Sequence, residues 1–345
     1  MGNGSKTVIL TAIEDDVILI SDAVMELKDG EWVTTGMADP YAIERDDIDI
    51  AKDHDDQGDL DDLEVARQLH AYVDRRGCKP DAFAISSFGN VGIENQIISH
   101  YPNGGANKSR LVEYDFPSRI KSVFGSGCGR FFIENDASAA ALGEQVWGAG
   151  EGFDDFAYVW AGRGINVGLI LGYDILRGRQ HPEAGHALAR RYRNDDYKLQ
   201  APESRLNSGN CVAHDDCFIG LASARSFMER IDQGKQSGTN KPSHFEISQM
   251  AGYYFSQICM NLVLHTAPRR IVIGGYTIRK EVVRDLVAAV HHHFAEMIGP
   301  YPSYQEMRPV EDFIVPAKLG QQASLLGLME MTRRRLTIES RSENK

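Results

Sequence analysis

Glu134-Asn135-Asp136-Ala137-Ser138-Ala139-Ala140-Ala141-Leu142-Gly143-Glu144 is the stretch on which the reading of this chain turns. Just before it, Phe131 to Ile133 carries the aromatic and β-branched residues of a short strand. The pattern then changes. Asp136 to Trp147 is rich in alanine, the residue that costs least in a helix, and predicts a helix with a small-residue surface. Asn135 and Asp136 stand at its start, where a side-chain oxygen satisfies an unbonded main-chain N–H. On general preference the pair therefore reads as a cap rather than as a catalytic base.

The alternation of strand and helix extends outward. Thr7 to Ser21 reads as two β-branched strands around the acidic turn Glu14-Asp15-Asp16, followed by a polar, Asp-rich segment. Leu63 to Arg76 has helical apolar spacing, and Asp81 to Ser87 is a strand ending in the loop Phe88-Gly89-Asn90. Phe156 to Trp160 and Val167 to Leu171 predict a hairpin across Gly162-Arg163-Gly164. Long amphipathic helices over Ile247 to Thr266 and Lys280 to Ile298 flank a strand, Arg270 to Ile273, that runs into Gly274-Gly275. A strand at Ile314 to Ala317 and a helix at Gly320 to Arg334 complete an α/β pattern without solenoid-length repeats.

A chain of 345 residues is long enough for two domains with separate cores. No run approaches the roughly 18 uninterrupted apolar residues of a membrane span. Met1 to Lys6 has no apolar core of the signal-peptide kind, so a cytoplasmic protein is expected, with no membrane partner. A net charge of −12 argues against nucleic acid as a partner, which needs a concentrated basic surface. The run Arg333-Arg334-Arg335 reads as a solvated helix end complementing the helix dipole.

The five cysteines form an odd, sparse set that does not read as a disulfide framework. Cys78, Cys128 and Cys259 read as small apolar groups. Cys211-Val-Ala-His214-Asp-Asp-Cys217 is different. With His186 of His181-Pro-Glu183-Ala-Gly-His186, it offers two thiolates and two imidazoles, the donor set of a closed tetrahedral zinc site. The alternative is two unconnected loop thiols with His214 solvated.

These motifs, in this order, resemble those of the ROK family of sugar kinases and repressors. The stretch Glu134 to Glu144 resembles the family signature, and Ser86-Ser87-Phe88-Gly89 its sugar loop. His181 to His186 resembles the Glu-x-Gly-His motif, and Cys211 to Ser223 the metal loop of the fructokinase-like branch. Pro268 to Gly275 is similar to the adenosine-site strand and turn. The resemblance spans the chain from about Asp81 onward.

It implies an actin-like ATPase, ribonuclease-H-like fold: two α/β domains with an intervening cleft. Here these would be residues 1–140 and 141–319, with a final helix at about 320–340 packing back on the first. It also implies a homodimer or higher homo-oligomer. The implied chemistry is transfer of the γ-phosphoryl of ATP, accompanied by magnesium, to a sugar hydroxyl. Asp136 would be the general base that accepts the hydroxyl proton. Gly89, Asn135, Glu183 and His186 would lie on the sugar, and Gly162, Arg163, Gly164, Gly274 and Gly275 near the nucleotide. His186, Cys211, His214 and Cys217 would hold a structural zinc ion. A repressor of this family carries an N-terminal helix-turn-helix domain, and the first 80 residues show no such pattern, so a kinase is expected.

The sequence departs from the family on the phosphate side. The opening Asp/Glu-x-Gly-Gly-Thr turn corresponds to Ile13-Glu14-Asp15-Asp16-Val17, where added carboxylates repel phosphate and Cβ atoms restrict close approach of the main chain. In the second phosphate loop Arg163 replaces a small residue and either binds phosphate or fills its pocket. The family's Glu after the last metal cysteine is Ile219, which removes a polar contact to the sugar. The alternative function is therefore a catalytically impaired relative, a pseudokinase or sugar-binding protein.

Two features stand outside the family pattern. Asp53 to Glu64 fits an EF-hand loop, with Asp53, Asp55, Gln57 and Glu64 at calcium-ligand positions. The alternative is an acidic loop favouring the N-terminus of the following helix. His291-His292-His293 points in different directions around a helix and is expected to be ordinary surface, unable to converge on one ion.

Overall fold

The computed structural model describes residues 4–14, 17–44, 62–92, 96–100, 112–125, 128–162, 164–193, 195, 211, 216–237, 243–275, 280–301, 306–307 and 309–343. Contacts divide the chain into two units. Unit 1 is Met1–Gly143, Arg177–His181 and Gln322–Lys345; unit 2 is Glu144–Leu176 and Pro182–Gln321.

In unit 1, Ser5–Ile13 (β1) and Val17–Lys28 (β2) pair antiparallel from Ser5↔Glu26 to Ile13↔Ile18. Glu14 N–H on the Val17 carbonyl closes their turn at 2.9 Å. The chain then turns at Asp29-Gly30, both at positive φ (51° and 82°), a two-residue geometry that suits the twist of antiparallel strands. Glu31–Met37 (β3) and Tyr41–Glu44 (β4) both pair with β2. The first part of the polar segment expected after Ser21, as far as Glu44, is thus sheet. Ala23 and Met25 are fully buried there, and the charges of Glu26 and Lys28 mask the strand alternation in the sequence.

Asp62–Arg76 (α1) buries Val65, Ala66, Leu69, Tyr72 and Val73, one helical stripe. Ala82–Ser87 (β5) adds to β1 in parallel. Asn90–Val91 (β6), Ile98–His100 (β7) and Val112–Tyr114 (β8) form a small antiparallel sheet. Phe116–Phe124 (α2) follows, capped by the Asp115 carboxylate on Ser118 N–H. Arg130–Asn135 (β9) then joins β5 in parallel, and Asp136–Trp147 (α3) starts at the next residue.

Unit 2 opens with the antiparallel strands Phe156–Ala161 (β10), Ile165–Leu171 (β11) and Asp174–Ile175 (β12). Phe218–Ala222 (α4) and Ala224–Ser237 (α5) lead to His244–Thr266 (α6), which starts with a reciprocal Ser243–Glu246 capping box. Ile271–Gly274 (β13) pairs β10 in parallel. Lys280–Ile298 (α7), Val310–Phe313 (α8) and Ile314–Pro316 (β14) complete the unit, β14 parallel to β13.

The two sheets share one plan. Their orders are β3-β2-β1-β5-β9 and β12-β11-β10-β13-β14, so each runs 3-2-1-4-5 in chain order, with β4 an addition to the first. This duplication leaves no sequence repeat because only strand order and direction are shared.

Ala323–Glu343 (α9) belongs to unit 1. It meets α3 at glycines: a Cβ on Gly327 would lie 1.7 Å from the Ala139 carbonyl oxygen, and one on Gly143 2.1 Å from that of Ala323. This close approach is what the small-residue surface of α3 serves. The helix runs past Arg334 to Glu343, so the three-arginine run is not a solvated helix end. Arg333 and Arg334 both hold Glu330, at 2.7 and 2.6 Å, and Arg335 lies over the Phe132 ring.

Candidate active site

The junction of β9 and α3 concentrates polar contacts. Asn135 makes the cap: its Oδ1 accepts from Ala137 N–H at 3.1 Å and Ser138 N–H at 3.3 Å. Its Nδ2 donates to the Gly89 carbonyl at 3.3 Å, and Gly89 stands at φ 91°, a conformation that favours glycine. Asp136 is buried, with one carboxylate oxygen 2.7 Å from Ala137 N–H. Asn135 is thus the capping residue that reaches both Ala137 and Ser138, and Asp136 shares the Ala137 N–H.

Glu134 positions this junction from behind. One carboxylate oxygen accepts from Asn135 N–H at 2.9 Å, and the other accepts two bonds from the Arg177 guanidinium, at 2.9 and 2.5 Å. Arg335 approaches the same carboxylate at 4.0 Å. A cavity of about 20 Å³ lies among Ile133, Glu134, Arg177, His181 and Arg335, room for a water and not for a sugar. At the end of β1, Glu14 is buried; Asp15 and Asp16 lie outside the described residues.

In unit 2 the Glu183-Ala-Gly-His186 segment folds as a single tight turn, with His186 N–H on the Glu183 carbonyl at 3.0 Å. A Cβ on Gly185 would lie 2.0 Å from the Ile165 carbonyl oxygen and 2.9 Å from Ile219 Cγ1, so the turn is pressed against β11 and α4. His186 Nδ1 lies 3.5 Å from Cys211 Sγ, and His186 Nε2 lies 3.9 Å from a Glu183 carboxylate oxygen. Cys217 is buried at the start of α4, its Sγ accepting from Gly220 N–H at 3.3 Å.

Ligand atoms of His186, Cys211 and Cys217 all lie within 4.8 Å of one another. A nitrogen and a sulfur bound to one tetrahedral zinc ion would be about 3.5 Å apart, which the His186–Cys211 separation matches. The hydrogen bond to Cys211, then burial, pushes the Cys217 thiol up; the Cys211 contact likewise raises His186 despite burial. A bound cation would reverse the cost of keeping two sulfurs together by taking them as thiolates. The donor set therefore fits zinc, with the fourth expected ligand, His214, outside the described residues.

Of the turn glycines of unit 2, Gly274 and Gly275 are set by close approach, whereas a Cβ on Gly164 would meet open space. Gly162 N–H bonds the Gly164 carbonyl at 3.0 Å, and the Gly162 carbonyl accepts from Ala224 N–H at 2.9 Å. A Cβ on Gly274 would meet the Tyr158 hydroxyl at 2.4 Å; on Gly275, at φ 140°, it would meet the Ala161 carbonyl oxygen at 2.1 Å. Arg163 lies outside the described residues.

Of the candidate sugar residues, Gly89, Asn135 and Asp136 belong to unit 1 and Glu183 and His186 to unit 2. Of the candidate calcium ligands, Asp53, Asp55 and Gln57 lie outside the described residues; Glu64 accepts from Gln68 and Arg67 within its own helix. Two of the three histidines of α7 are not ordinary surface. His291 Nε2 lies 2.7 Å from the Ile314 carbonyl, His293 is buried, and His292 is exposed.

Among the buried carboxylates that sequence reasoning passed over are Glu134, Glu144 and Asp195. Glu134 and Glu144 bracket the signature, and both serve main-chain N–H groups: Glu144 accepts from Ala149, Lys318 and Leu319 at 2.6–3.0 Å. Two carboxylates flanking an alanine-rich run were the available signal. Asp195, bonded to Arg230 and the Tyr254 hydroxyl, has no local signal at all.

The ROK family model matches residues 61–335, and the chain belongs to the ROK family. It is 30% identical to a fructokinase of Pediococcus pentosaceus, over 72% of this chain and 78% of that protein. It is also 45% identical to a xylose repressor of Bacillus subtilis (strain 168), over 70% of this chain and 61% of that one. Among solved structures it superposes on a ROK family glucokinase from Streptomyces griseus, in complex with glucose and AMPPNP. That match has a TM-score of 0.62 at 18% identity, and covers 95% of this chain and 99% of the other. The fold is thus the actin-like ATPase fold. Among the described residues no helix is long and apolar enough to cross a membrane, and the described cysteines are all free thiols.

Proposed function

We propose that this protein is an ATP-dependent carbohydrate kinase that phosphorylates a hydroxyl of a hexose or hexose derivative. The carrying observation is the division of labour at the β9–α3 junction. Asn135 makes the helix cap to Ala137 and Ser138, and the buried Asp136 carboxylate beside it, which also accepts from Ala137 N–H, is assigned the base that takes the sugar hydroxyl proton. Membership of a family with fructokinase relatives supports the same reading.

Gly89, Asn135, Glu183 and His186 are assigned to the sugar. Gly89 and Asn135 are already bonded to each other, and Glu183 and His186 share one turn. Gly162, Arg163, Gly164, Gly274 and Gly275 are assigned to the nucleotide, at turns where any larger residue than Gly274 or Gly275 would meet neighbouring atoms. Magnesium bound with ATP would neutralise charge on the transferring phosphoryl group. Zinc held by His186, Cys211, His214 and Cys217 would order the loop that carries them and fix the His186 ring beside Glu183. The free thiols are those of a reducing compartment, so the enzyme is assigned to the cytoplasm, and the homo-oligomer rests on the family resemblance alone.

A second reading, a sugar-binding relative without phosphoryl transfer, is favoured by one observation. Glu14 N–H bonds the Val17 carbonyl, and the Glu14 carboxylate is buried in the turn that the family resemblance assigns to phosphate, where its charge would oppose binding. Calorimetric titration with magnesium-ATP, followed by an ADP-release assay on a hexose panel, decides between the two. Saturable nucleotide binding and turnover support the kinase; no binding at millimolar nucleotide removes it.

A further inference from the structure

Two neighbouring histidines on a helix are expected to diverge, and His291 does so, turning inward to the Ile314 carbonyl. His292 and His293 do not. Their ring centroids are 5.1 Å apart, and Glu296, one turn on, places its carboxylate between them. Glu296 Oε1 lies 3.7 Å from His292 Nε2, and Oε2 lies 3.7 Å from His293 Nδ1. One ligand atom from each of the three residues lies within 4.8 Å of the other two.

We propose that His292, His293 and Glu296 form a binding site for a divalent transition-metal ion, separate from the cysteine cluster. The separations are too long for hydrogen bonds. They are close to the roughly 3.4 Å expected between two ligand atoms that each lie about 2.0–2.1 Å from one tetrahedral ion. Two imidazoles and one carboxylate favour zinc, nickel or copper over magnesium or calcium, and leave a position for water.

The site is half built in advance. His293 is only 8% exposed, and its ring is wedged edge-on against Tyr192 and Tyr253, at 6.2 and 5.7 Å between centroids. Its ring position is therefore fixed by packing, while His292 and Glu296 are exposed and free to close on an ion from solvent. The donors also differ from the sulfur-rich cluster at Cys211 and Cys217, so the two sites are separable by ligand chemistry.

The test is calorimetric titration of the full-length protein, first given one equivalent of zinc, with nickel chloride. One further binding event is expected, weakened at least about tenfold by either His292→Ala or Glu296→Gln. Both positions are exposed, so an unchanged melting temperature in each variant shows that the fold is intact. With cobalt as the probe, the event should carry no thiolate charge-transfer absorption. Absence of a further event up to millimolar nickel, indifference to both substitutions, or a thiolate band would each overturn the assignment.

Discussion

Asn135 Nδ2 donates to the Gly89 carbonyl at 3.3 Å, so one side chain ties the loop after β5 to the point where β9 becomes α3. The same amide caps α3 through its oxygen, and the two duties can be separated. Asn135→Ala loses both, and should cost about 1–2 kcal/mol of stability by chemical denaturation. Asn135→Asp keeps a capping oxygen but cannot donate to Gly89; it should keep most of the stability while the KM for sugar rises.

Asp136→Asn tests the base directly. With the cap made by Asn135, the melting temperature should barely move, and sugar binding by calorimetry should persist. The kcat for ADP release should fall by about two to four orders of magnitude. Full activity in this variant would remove Asp136 from the mechanism.

Gly185 is constrained by packing rather than by conformation. An alanine there would put Cβ 2.0 Å from the Ile165 carbonyl oxygen. Gly185→Ala is expected to destabilise the protein by about 1–3 kcal/mol in thermal melts. Adding Ile219→Ala should not restore the loss, because the closer clash is with main chain.

How much of this was legible beforehand depended on what kind of signal each element carries. The span of α3, Asp136–Trp147, follows from composition alone, and the β10–β11 hairpin from its glycine turn. Strands β3 and β4 were hidden because each buries a single side chain, Trp32 or Ile43, too few to show an apolar alternation, even though Asp29-Gly30 is a recognisable hairpin turn. The extent of α9 and the pairing of Arg333 and Arg334 with Glu330 were misread, because three arginines look like an end and only the helix register shows a partner three or four residues back. At the site, local motifs pointed to the cysteine–histidine group. Arg177 on Glu134 joins residues far apart in the chain and has no local signature.

Glu330 carries a pH dependence. Burial would raise its carboxyl, but bonds from Arg333 and Arg334 outweigh that and hold it below the ordinary glutamate value. A lowered folded-state value means that the unfolded state takes up the proton first. The stabilisation is therefore present above the unfolded value, about 4.3, and lost as pH falls through the lower folded value. Glu330→Gln should reduce stability at neutral pH and flatten the acid limb of the melting-temperature profile below about pH 5.

Metal analysis of the purified protein should find zinc near one equivalent. Cys211→Ser should release it and lower the melting temperature, whereas Cys259→Ser, at a buried thiol that belongs to no candidate metal group among the described residues, should leave the zinc content unchanged.

The placement of α9 has a consequence for how the chain is made. Trp32 of β3 bonds through N–H and Nε1 to the Thr337 and Ser340 hydroxyls, so the first sheet is completed by the last helix. Two hundred residues separate Gly143 from Glu343. At about 5–20 residues per second, the ribosome takes about 10–40 s to deliver α9 after the first sheet has emerged. Most of unit 2, from Pro182 to Gln321, is contiguous and can close its own core in that interval. The strands β1, β2, β3 and β5 therefore spend that interval without the helix that packs across them, with apolar surface open to misassembly.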